Sequence, residues 1–165
     1  MILHAGLVAL RLDGYWLGAL IEGSSGAGKS DLALKALEAG FRLVADDQVV
    51  VWRSGDALFG RAPSPLAGLI ESRGQGIVRE SPIGFAQIVL AARCVSAGEA
   101  IERLPAPAAT TVAGIAIACF QIDPFEASAP AKLRRALQHL GHGAQQAYQA
   151  RSSGGGDRLG TGDTH

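Results

Sequence analysis

At 165 residues, with 48% hydrophobic and 18% charged residues, the chain can form one domain with a packed core. Fifteen basic residues balance fifteen acidic ones, which argues against a broad positive surface for nucleic acid. No apolar stretch has bilayer length, no signal-peptide pattern is present, and Cys94 and Cys119 lack both disulfide and metal-ligand spacing. We therefore expect one cytoplasmic domain with free thiols and no membrane partner.

The N-terminal residues predict a hairpin. Residues 7–10 are apolar and strand-like, and Asp13-Gly14 is a strong two-residue turn signal before a buried strand at residues 17–21. His4 lies before the first of these strands, where a lone histidine is usually exposed and without a role.

A glycine-rich stretch follows and matches the phosphate-binding pattern G-x-x-x-x-G-K-[ST] at every required position. Its residues are Gly23, Ser24, Ser25, Gly26, Ala27, Gly28, Lys29 and Ser30. In this motif backbone N–H groups converge on phosphate oxygens, the lysine reaches the outer phosphates, and the serine hydroxyl can bind Mg²⁺. Residues 29–39 predict a helix that ends at Gly40 and whose N-terminus favours an anion. The strand, loop and helix predict a nucleotide-binding α/β domain, the alternative being a glycine-rich turn in an apolar α/β protein.

Two adjacent acids follow the next predicted strand, at residues 41–45. Asp46 and Asp47 end this strand, and residues 48–53 continue with β-branched and aromatic side chains. Carboxylates beyond a strand end in a nucleotide-binding domain can serve as a general base or approach a metal ion. The alternative is a solvated pair of turn acids.

A charged and glycine-rich stretch occupies residues 69–78, after a predicted hairpin strand at residues 57–60. It holds Glu71 and Arg73 beside glycines that permit close backbone approach, which suits a metal or phosphate neighbour. The alternative is a glycine-kinked strand with two exposed charges.

The C-terminal half predicts core strands and then a helix. Residues 85–92 and 110–120 are apolar runs of strand character. Ser128 can cap the following helix and Pro130 suits its first turn. The helix carries an apolar face of Leu133, Ala136, Leu137 and Leu140, and a basic side of Lys132, Arg134 and Arg135. That basic side is either an ordinary solvated face or a docking surface.

We expect the helix to end at Gly141-His142-Gly143, with at most a frayed turn or two at residues 144–150. The domain prediction is a catalytic domain at residues 1–151 and a disordered Gly/Ser-rich tail at residues 152–165.

The order of these features resembles the catalytic domain of bacterial HPr kinase/phosphorylase, the family that phosphorylates a serine of the phosphocarrier protein HPr. The resemblance rests on His4-Ala5, residues 23–34, Leu43-Val44-Ala45-Asp46-Asp47, residues 69–77 with the E-x-R-G-x-G-I signature, and residues 120–137. It implies a single P-loop α/β domain with a central mixed sheet, similar to the phosphoenolpyruvate carboxykinase-like fold. It also implies assembly as a homohexamer.

The resemblance implies a role for each matching residue of the nucleotide site. Residues 23–30 would bind the phosphates of ATP, Lys29 would neutralise the transferring phosphoryl group, and Ser30 and Glu71 would lie around Mg²⁺. Arg73 lies in the signature without an assigned role.

It also implies the acid–base chemistry. Asp47 would be the general base, taking the proton from the acceptor serine in the kinase direction and returning it in phosphorolysis. Asp46 would support it, and His4 corresponds to a histidine of the same active site.

The chain departs from the family pattern at several positions. It resembles the truncated, catalytic-domain form, Asp31 replaces a common glutamate, and Ser72 and Gln75 replace apolar residues of the signature. The segment at residues 78–85 is shorter than the family's loop, which carries an arginine used in dephosphorylation and contacts to HPr. Arg79 is the nearby candidate for that arginine, so kinase activity is the primary expectation.

We therefore predict an ATP- and Mg²⁺-dependent serine kinase of HPr or an HPr-like carrier, with phosphorolysis of serine-phosphorylated HPr as a candidate second activity. One alternative is a P-loop kinase of a small hydroxyl metabolite. Another is a non-catalytic module that senses nucleotide and binds a partner.

Overall fold

The computed structural model describes residues 1–140, so the predictions for residues 141–150 and for the tail at 152–165 lie outside the described residues. The described strands are β1 (Ile2–Leu3), β2 (Gly6–Leu12), β3 (Tyr15–Glu22), β4 (Arg42–Ala45), β5 (Val49–Ser54), β6 (Ala57–Arg61), β7 (Leu69–Ser72), β8 (Gly76–Arg79), β9 (Ala86–Cys94), β10 (Ala108–Val112) and β11 (Ile115–Ile122). The helices are α1 (Lys29–Glu38) and α2 (Ala129–His139), with a 3-10 helix at Ser64–Leu66.

One mixed sheet organises the fold. Its strand order is β1-β5-β6-β9-β3-β2-β4, and the β10–β11 hairpin joins it through β11 and β9. β9 runs parallel to both β3 and β11, whereas the other neighbouring strands are antiparallel. β7 and β8 form a separate two-stranded hairpin. The predicted α/β domain with a central mixed sheet is confirmed.

Apolar side chains cover both faces of the central strands. The neighbours Leu7 and Val8 on β2 are both fully buried but belong to different clusters, because successive side chains point to opposite faces. Val8 packs in the cluster that contains Leu32 of α1 and Leu133 of α2. Leu7 packs in the cluster beneath β5 and β6. Burial on two faces explains why the central strands are continuous apolar runs.

The β2–β3 hairpin forms as predicted. Leu12 pairs with Tyr15, and the two turn residues Asp13 and Gly14 have φ angles of 50° and 83°. Positive φ at both turn residues gives the twist that joins two antiparallel strands directly. The hairpin leads the chain into β3 and then into the glycine-rich loop.

The predicted first helix and its stop are also confirmed. α1 ends at Glu38, and Gly40 has a φ of 94°. The C-terminal carbonyl of Ala39 accepts a hydrogen bond from the Arg134 guanidinium of α2, which also lies 5.7 Å from the centre of the Phe41 ring. Arg134 thereby ties the end of α1 to α2.

The apolar run at residues 110–120 is two strands, and the prediction of one strand is wrong. β10 and β11 pair through Val112 and Ile115, and the turn residues Ala113 and Gly114 have φ angles of 48° and 79°. An alanine in place of the usual Asn or Asp removed the sequence signal for this turn.

Residues 69–78 form a hairpin, so a single glycine-kinked strand is also wrong. Glu71 pairs with Ile77, and Gly74 and Gly76 have positive φ angles of 86° and 102°. The β-branched and aromatic residues after Asp47 form β5, which pairs with β1 and β6 at the other end of the strand order from β4.

α2 begins after Ser128 with Pro130 in its first turn, as predicted. The Ser128 side chain does not cap the helix; its hydroxyl lies 3.5 Å from the Glu126 carboxylate instead. Within residues 1–140, no helix is both long and apolar enough to cross a membrane.

Candidate active site

The sheet brings four chain segments to one edge, called here the P-loop edge. β4 runs in the same direction as β3, because both are antiparallel to β2. The carboxyl ends of β3, β4, β9 and β11 therefore meet at this edge, together with the start of β2. Open α/β sheets bind ligands beyond the carboxyl ends of their strands.

The loop with the predicted phosphate-binding motif (residues 23–30), called here the phosphate-binding loop, connects β3 to α1 at this edge. Gly26 and Gly28 have φ angles of 80° and 100°, which L side chains rarely adopt. The Lys29 ammonium is buried within the loop and donates hydrogen bonds to the carbonyls of Gly23 (2.8 Å) and Ser24 (3.0 Å). The Lys29 ammonium therefore lies at the N-terminus of α1, where the backbone N–H groups of the first turn also favour an anion.

Asp46 is the centre of the polar cluster beside the loop. Its two carboxylate oxygens lie 2.9 and 3.1 Å from the Ser30 hydroxyl, and one of them accepts the Glu71 backbone N–H at 3.0 Å. The carboxyl group therefore links β4, α1 and β7. The sequence assigned Asp46 only a supporting place, and this bridging position was missed.

Burial raises the pKa of the Asp46 carboxyl group above its ordinary value. The Glu71 N–H and the Ser30 hydroxyl lower its pKa, whereas the carboxylates of Asp47 and Glu71 raise it further. A nearby cation would favour the charged form of this group.

Asp47 lies next in the chain but faces solvent. Its carboxylate is 3.3 Å from the His4 Nδ1 atom, and both side chains are more than half exposed. Asp47 has a φ of 66°, and its carbonyl accepts the Ala5 N–H at 3.1 Å. This backbone contact ties the turn to the start of β2 and thereby brings His4 to the site. The sequence position of His4 alone had indicated no role for it.

The β7–β8 hairpin contributes charged side chains to the same region. Glu71, Ile77 and Arg79 lie on its exposed face, since Glu71 pairs with Ile77 and alternate residues share a face. Glu71 and Arg79 are diagonal neighbours across the strands. Arg73 is exposed in the connecting turn, and no hydrogen bond or ion pair joins Arg73 or Arg79 to Asp46 or Asp47 among residues 1–140.

The oxygen donors at this cluster fit Mg²⁺. The Ser30 hydroxyl contacts the Asp46 carboxylate, which also accepts a hydrogen bond from the Glu71 backbone N–H. Within the described residues, no group of three or more His, Cys, Asp or Glu could hold a metal ion alone. Mg²⁺ in phosphoryl-transfer sites uses one or two carboxylates and completes its shell with substrate phosphates and water.

Two segments beside the loop carried no sequence signal for this contact. A Cβ added at Gly28 would lie 2.8 Å from Phe125 and 2.9 Å from Pro124, and one at Gly23 would lie 3.1 Å from the Cβ of Cys94. Burial raises the pKa of the Cys94 thiol to about 11, which keeps it protonated near neutral pH. These contacts join segments that are distant in the chain.

The basic side of α2 is largely engaged within the chain. Arg134 contacts the end of α1, and the Lys132 ammonium pairs with Glu126. Arg135 is exposed and makes no ion pair within residues 1–140. The sequence-based suggestion of a docking surface here stays a prediction.

Comparison with known proteins decides the family. The family model described as the HPr Serine kinase C-terminal domain matches residues 2–91, more than half of the chain. The chain belongs to this family. Every site residue from His4 to Arg79 lies inside the matched range.

Relatives with similar sequences include two proteins named HPr kinase/phosphorylase. The protein from Halalkalibacterium halodurans is 50% identical over 68 residues, and the one from an Exiguobacterium species is 48% identical over 68 residues. Each alignment covers 41% of this chain and 22% of the relative. The chain thus matches about a fifth of the length of these relatives.

A solved structure has the same fold. The HPr(Ser) kinase/phosphatase from Coxiella burnetii superposes with a TM-score of 0.73 at 20% sequence identity. The superposition covers 95% of this chain and 99% of that chain. The family assignment implies use of a nucleotide.

Proposed function

We propose that the chain is a serine kinase that transfers the γ-phosphoryl group of ATP, with Mg²⁺, to HPr or an HPr-like carrier. One observation carries the proposal: the partly buried Ser30–Asp46 contact and the exposed His4–Asp47 pair lie side by side next to the phosphate-binding loop. The names of the relatives support the choice of acceptor. Among small or protein acceptors, an exposed carboxylate suits a hydroxyl presented by another protein.

In the proposed reaction the acceptor serine approaches Asp47. Its hydroxyl oxygen forms the bond to the γ-phosphorus while the bond from that phosphorus to the β–γ bridging oxygen breaks. The proton passes to the Asp47 carboxylate, and ADP leaves. His4, 3.3 Å from the same carboxylate, orients it toward the acceptor.

The loop supplies positioning and charge. Backbone N–H groups of residues 23–30 hold the phosphates, and Lys29 moves from the loop carbonyls to the phosphoryl group being transferred. Ser30, Asp46 and Glu71 are the residues that would hold Mg²⁺, which neutralises phosphate charge when bound. Most of the catalytic effect comes from this positioning, since phosphoryl transfer needs little covalent chemistry from the protein.

The test is transfer of label from γ-labelled ATP with Mg²⁺ to HPr. We expect label on HPr, and none on an HPr variant whose acceptor serine is replaced by alanine. ATP binding without transfer to HPr would contradict the proposal. Label on a small hydroxyl compound would then favour the metabolite kinase, and no transfer at all would favour the nucleotide-sensing module.

Phosphorolysis of serine-phosphorylated HPr is the proposed second activity, with Arg79 as its arginine. Arg79→Ala is expected to lower pyrophosphate release by about 10²-fold, because its guanidinium would neutralise developing phosphate charge. Phosphate transfer from ATP to HPr should fall less. Phosphorolysis is measured as pyrophosphate release from serine-phosphorylated HPr and inorganic phosphate, and kinase activity is measured as transfer of label from ATP.

The matched control for Arg79 is Arg11→Ala, which removes an exposed arginine of β2 opposite Trp16, away from the P-loop edge. Equal loss of phosphorolysis in the two variants, or intact phosphorolysis in Arg79→Ala, would remove Arg79 from the proposal.

Homohexamer assembly and a cytoplasmic location stay predictions. Light scattering of the purified chain measures the number of subunits.

A further inference from the structure

Phe125 places an exposed aromatic ring against the phosphate-binding loop. It follows β11 at the P-loop edge and is 57% exposed. A Cβ on Gly28 would lie 2.8 Å from the Phe125 Cζ atom and 3.2 Å from its Cε1 atom, so the edge of the ring contacts the loop backbone. The rest of the ring remains open to solvent.

The backbone that carries this ring is held in place from both sides. The Phe125 N–H donates to the Asp123 carboxylate at 3.0 Å, and the carbonyl of Pro124 accepts a hydrogen bond from the Lys35 ammonium at 2.8 Å. Lys35 also pairs with Asp31 at 3.3 Å, in the first turn of α1. The backbone at Phe125 is therefore held relative to the start of α1, so a ligand that contacts the ring need not order this backbone.

The strand order puts Phe125 and Asp46 on opposite sides of the loop. β4, which precedes Asp46, is two strands from β3 in one direction, whereas β11, which precedes Phe125, is two strands from β3 in the other. The proposed base Asp47 and the cluster around Ser30 mark the side where the outer phosphates lie. The opposite end of a nucleotide bound to the loop consequently extends toward β11.

From this arrangement we propose that Phe125 forms the base subsite of the nucleotide site, with the purine of ATP stacked on its exposed ring. The inference rests on the proposed function for nucleotide binding at the loop and for the side on which the outer phosphates lie. Stacking of a base on an aromatic side chain contributes about 1–3 kcal/mol of binding free energy, and every base has a face that can stack. The Pro124 ring beside it is buried and supports the turn rather than the ligand.

The test compares two ligands that share phosphates but differ in the base. Calorimetric titration of the 165-residue chain with ATP and with inorganic tripolyphosphate, each with Mg²⁺, separates base binding from phosphate binding. Phe125→Leu keeps an apolar side chain against Gly28 but removes the aromatic face. We expect it to weaken ATP binding by about 5- to 150-fold and to leave tripolyphosphate binding unchanged.

Two further variants sharpen the result. Phe125→Tyr retains the aromatic face and should bind ATP as the unaltered chain does. Tyr15→Ala removes another exposed aromatic residue, at the far end of β3, and should change neither ligand. Thermal unfolding of each variant checks that the fold is retained.

Three outcomes would overturn the inference. They are unchanged ATP binding in Phe125→Leu, equal weakening of ATP and tripolyphosphate, and an unaltered chain that binds ATP no more tightly than tripolyphosphate. None of these measurements contains HPr. A failure of transfer to HPr therefore leaves the base subsite standing, and a failure of the subsite leaves the kinase proposal standing.

Discussion

Asp47→Asn is expected to reduce phosphate transfer to HPr by about 10²- to 10⁴-fold, the usual contribution of a general base. The amide has nearly the shape of the carboxylate but does not accept the proton of the serine hydroxyl. Asparagine also adopts positive φ readily, so the φ of 66° at this position should be kept. Labelled transfer from ATP measures the loss, and calorimetry should find ATP affinity within the normal range.

The control is Asp56→Asn, in the exposed β5–β6 turn, where the carboxylate lies 3.8 Å from Arg53. This change should leave transfer intact. Normal transfer by Asp47→Asn would show that another group takes the proton. Loss of ATP binding together with transfer would show that Asp47 acts on the nucleotide instead of the acceptor.

The second large effect is expected for Lys29→Met, which should impair both nucleotide binding and phosphate transfer to HPr. The buried ammonium contacts the carbonyls of Gly23 and Ser24, and the lysine of this motif reaches the outer phosphates of a bound nucleotide. Removing one preorganised donor to developing charge costs about 10²- to 10³-fold in rate. Transfer to HPr and ATP titration measure the two effects separately.

Lys132→Met is the matched control for ATP binding, because Lys132 lies on α2 and pairs with Glu126, which precedes that helix. It should bind ATP normally. Thermal unfolding of Lys29→Met tests for a change in the fold, since the two loop carbonyls lose their donor. A stable Lys29→Met protein that binds ATP and transfers phosphate at the normal rate would contradict the assignment of the loop.

Local patterns predicted the elements around the loop because the signals lie within a few residues. The Asp13-Gly14 turn, the strand before Gly23 and the helix that stops at Gly40 all form as expected. Each depends on turn chemistry, apolar spacing or a glycine with positive φ, which are properties of neighbouring residues. The same reasoning failed at Ala113-Gly114, because alanine gives no turn signal.

The site itself needed contacts between distant segments. The resemblance to a family linked His4, Asp46 and Asp47, but it ranked Asp46 as a supporting residue. The structure places its carboxylate against both Ser30 and the Glu71 N–H. Nothing in the spacing of Ser30, Asp46 and Glu71 encodes those contacts.

The sequence by itself determined the glycine-rich loop between a strand and a helix, the start and end of α1, and the acids that follow β4. Only the tertiary structure decided that Asp46 bridges α1 and β7, that His4 meets Asp47, and that Phe125 lies against Gly28. The physical reason is the strand order: β4 and β11 flank β3 and β9 through pairings that join remote parts of the chain. Local propensity sets where a strand begins and ends, whereas long-range pairing sets which strand ends meet.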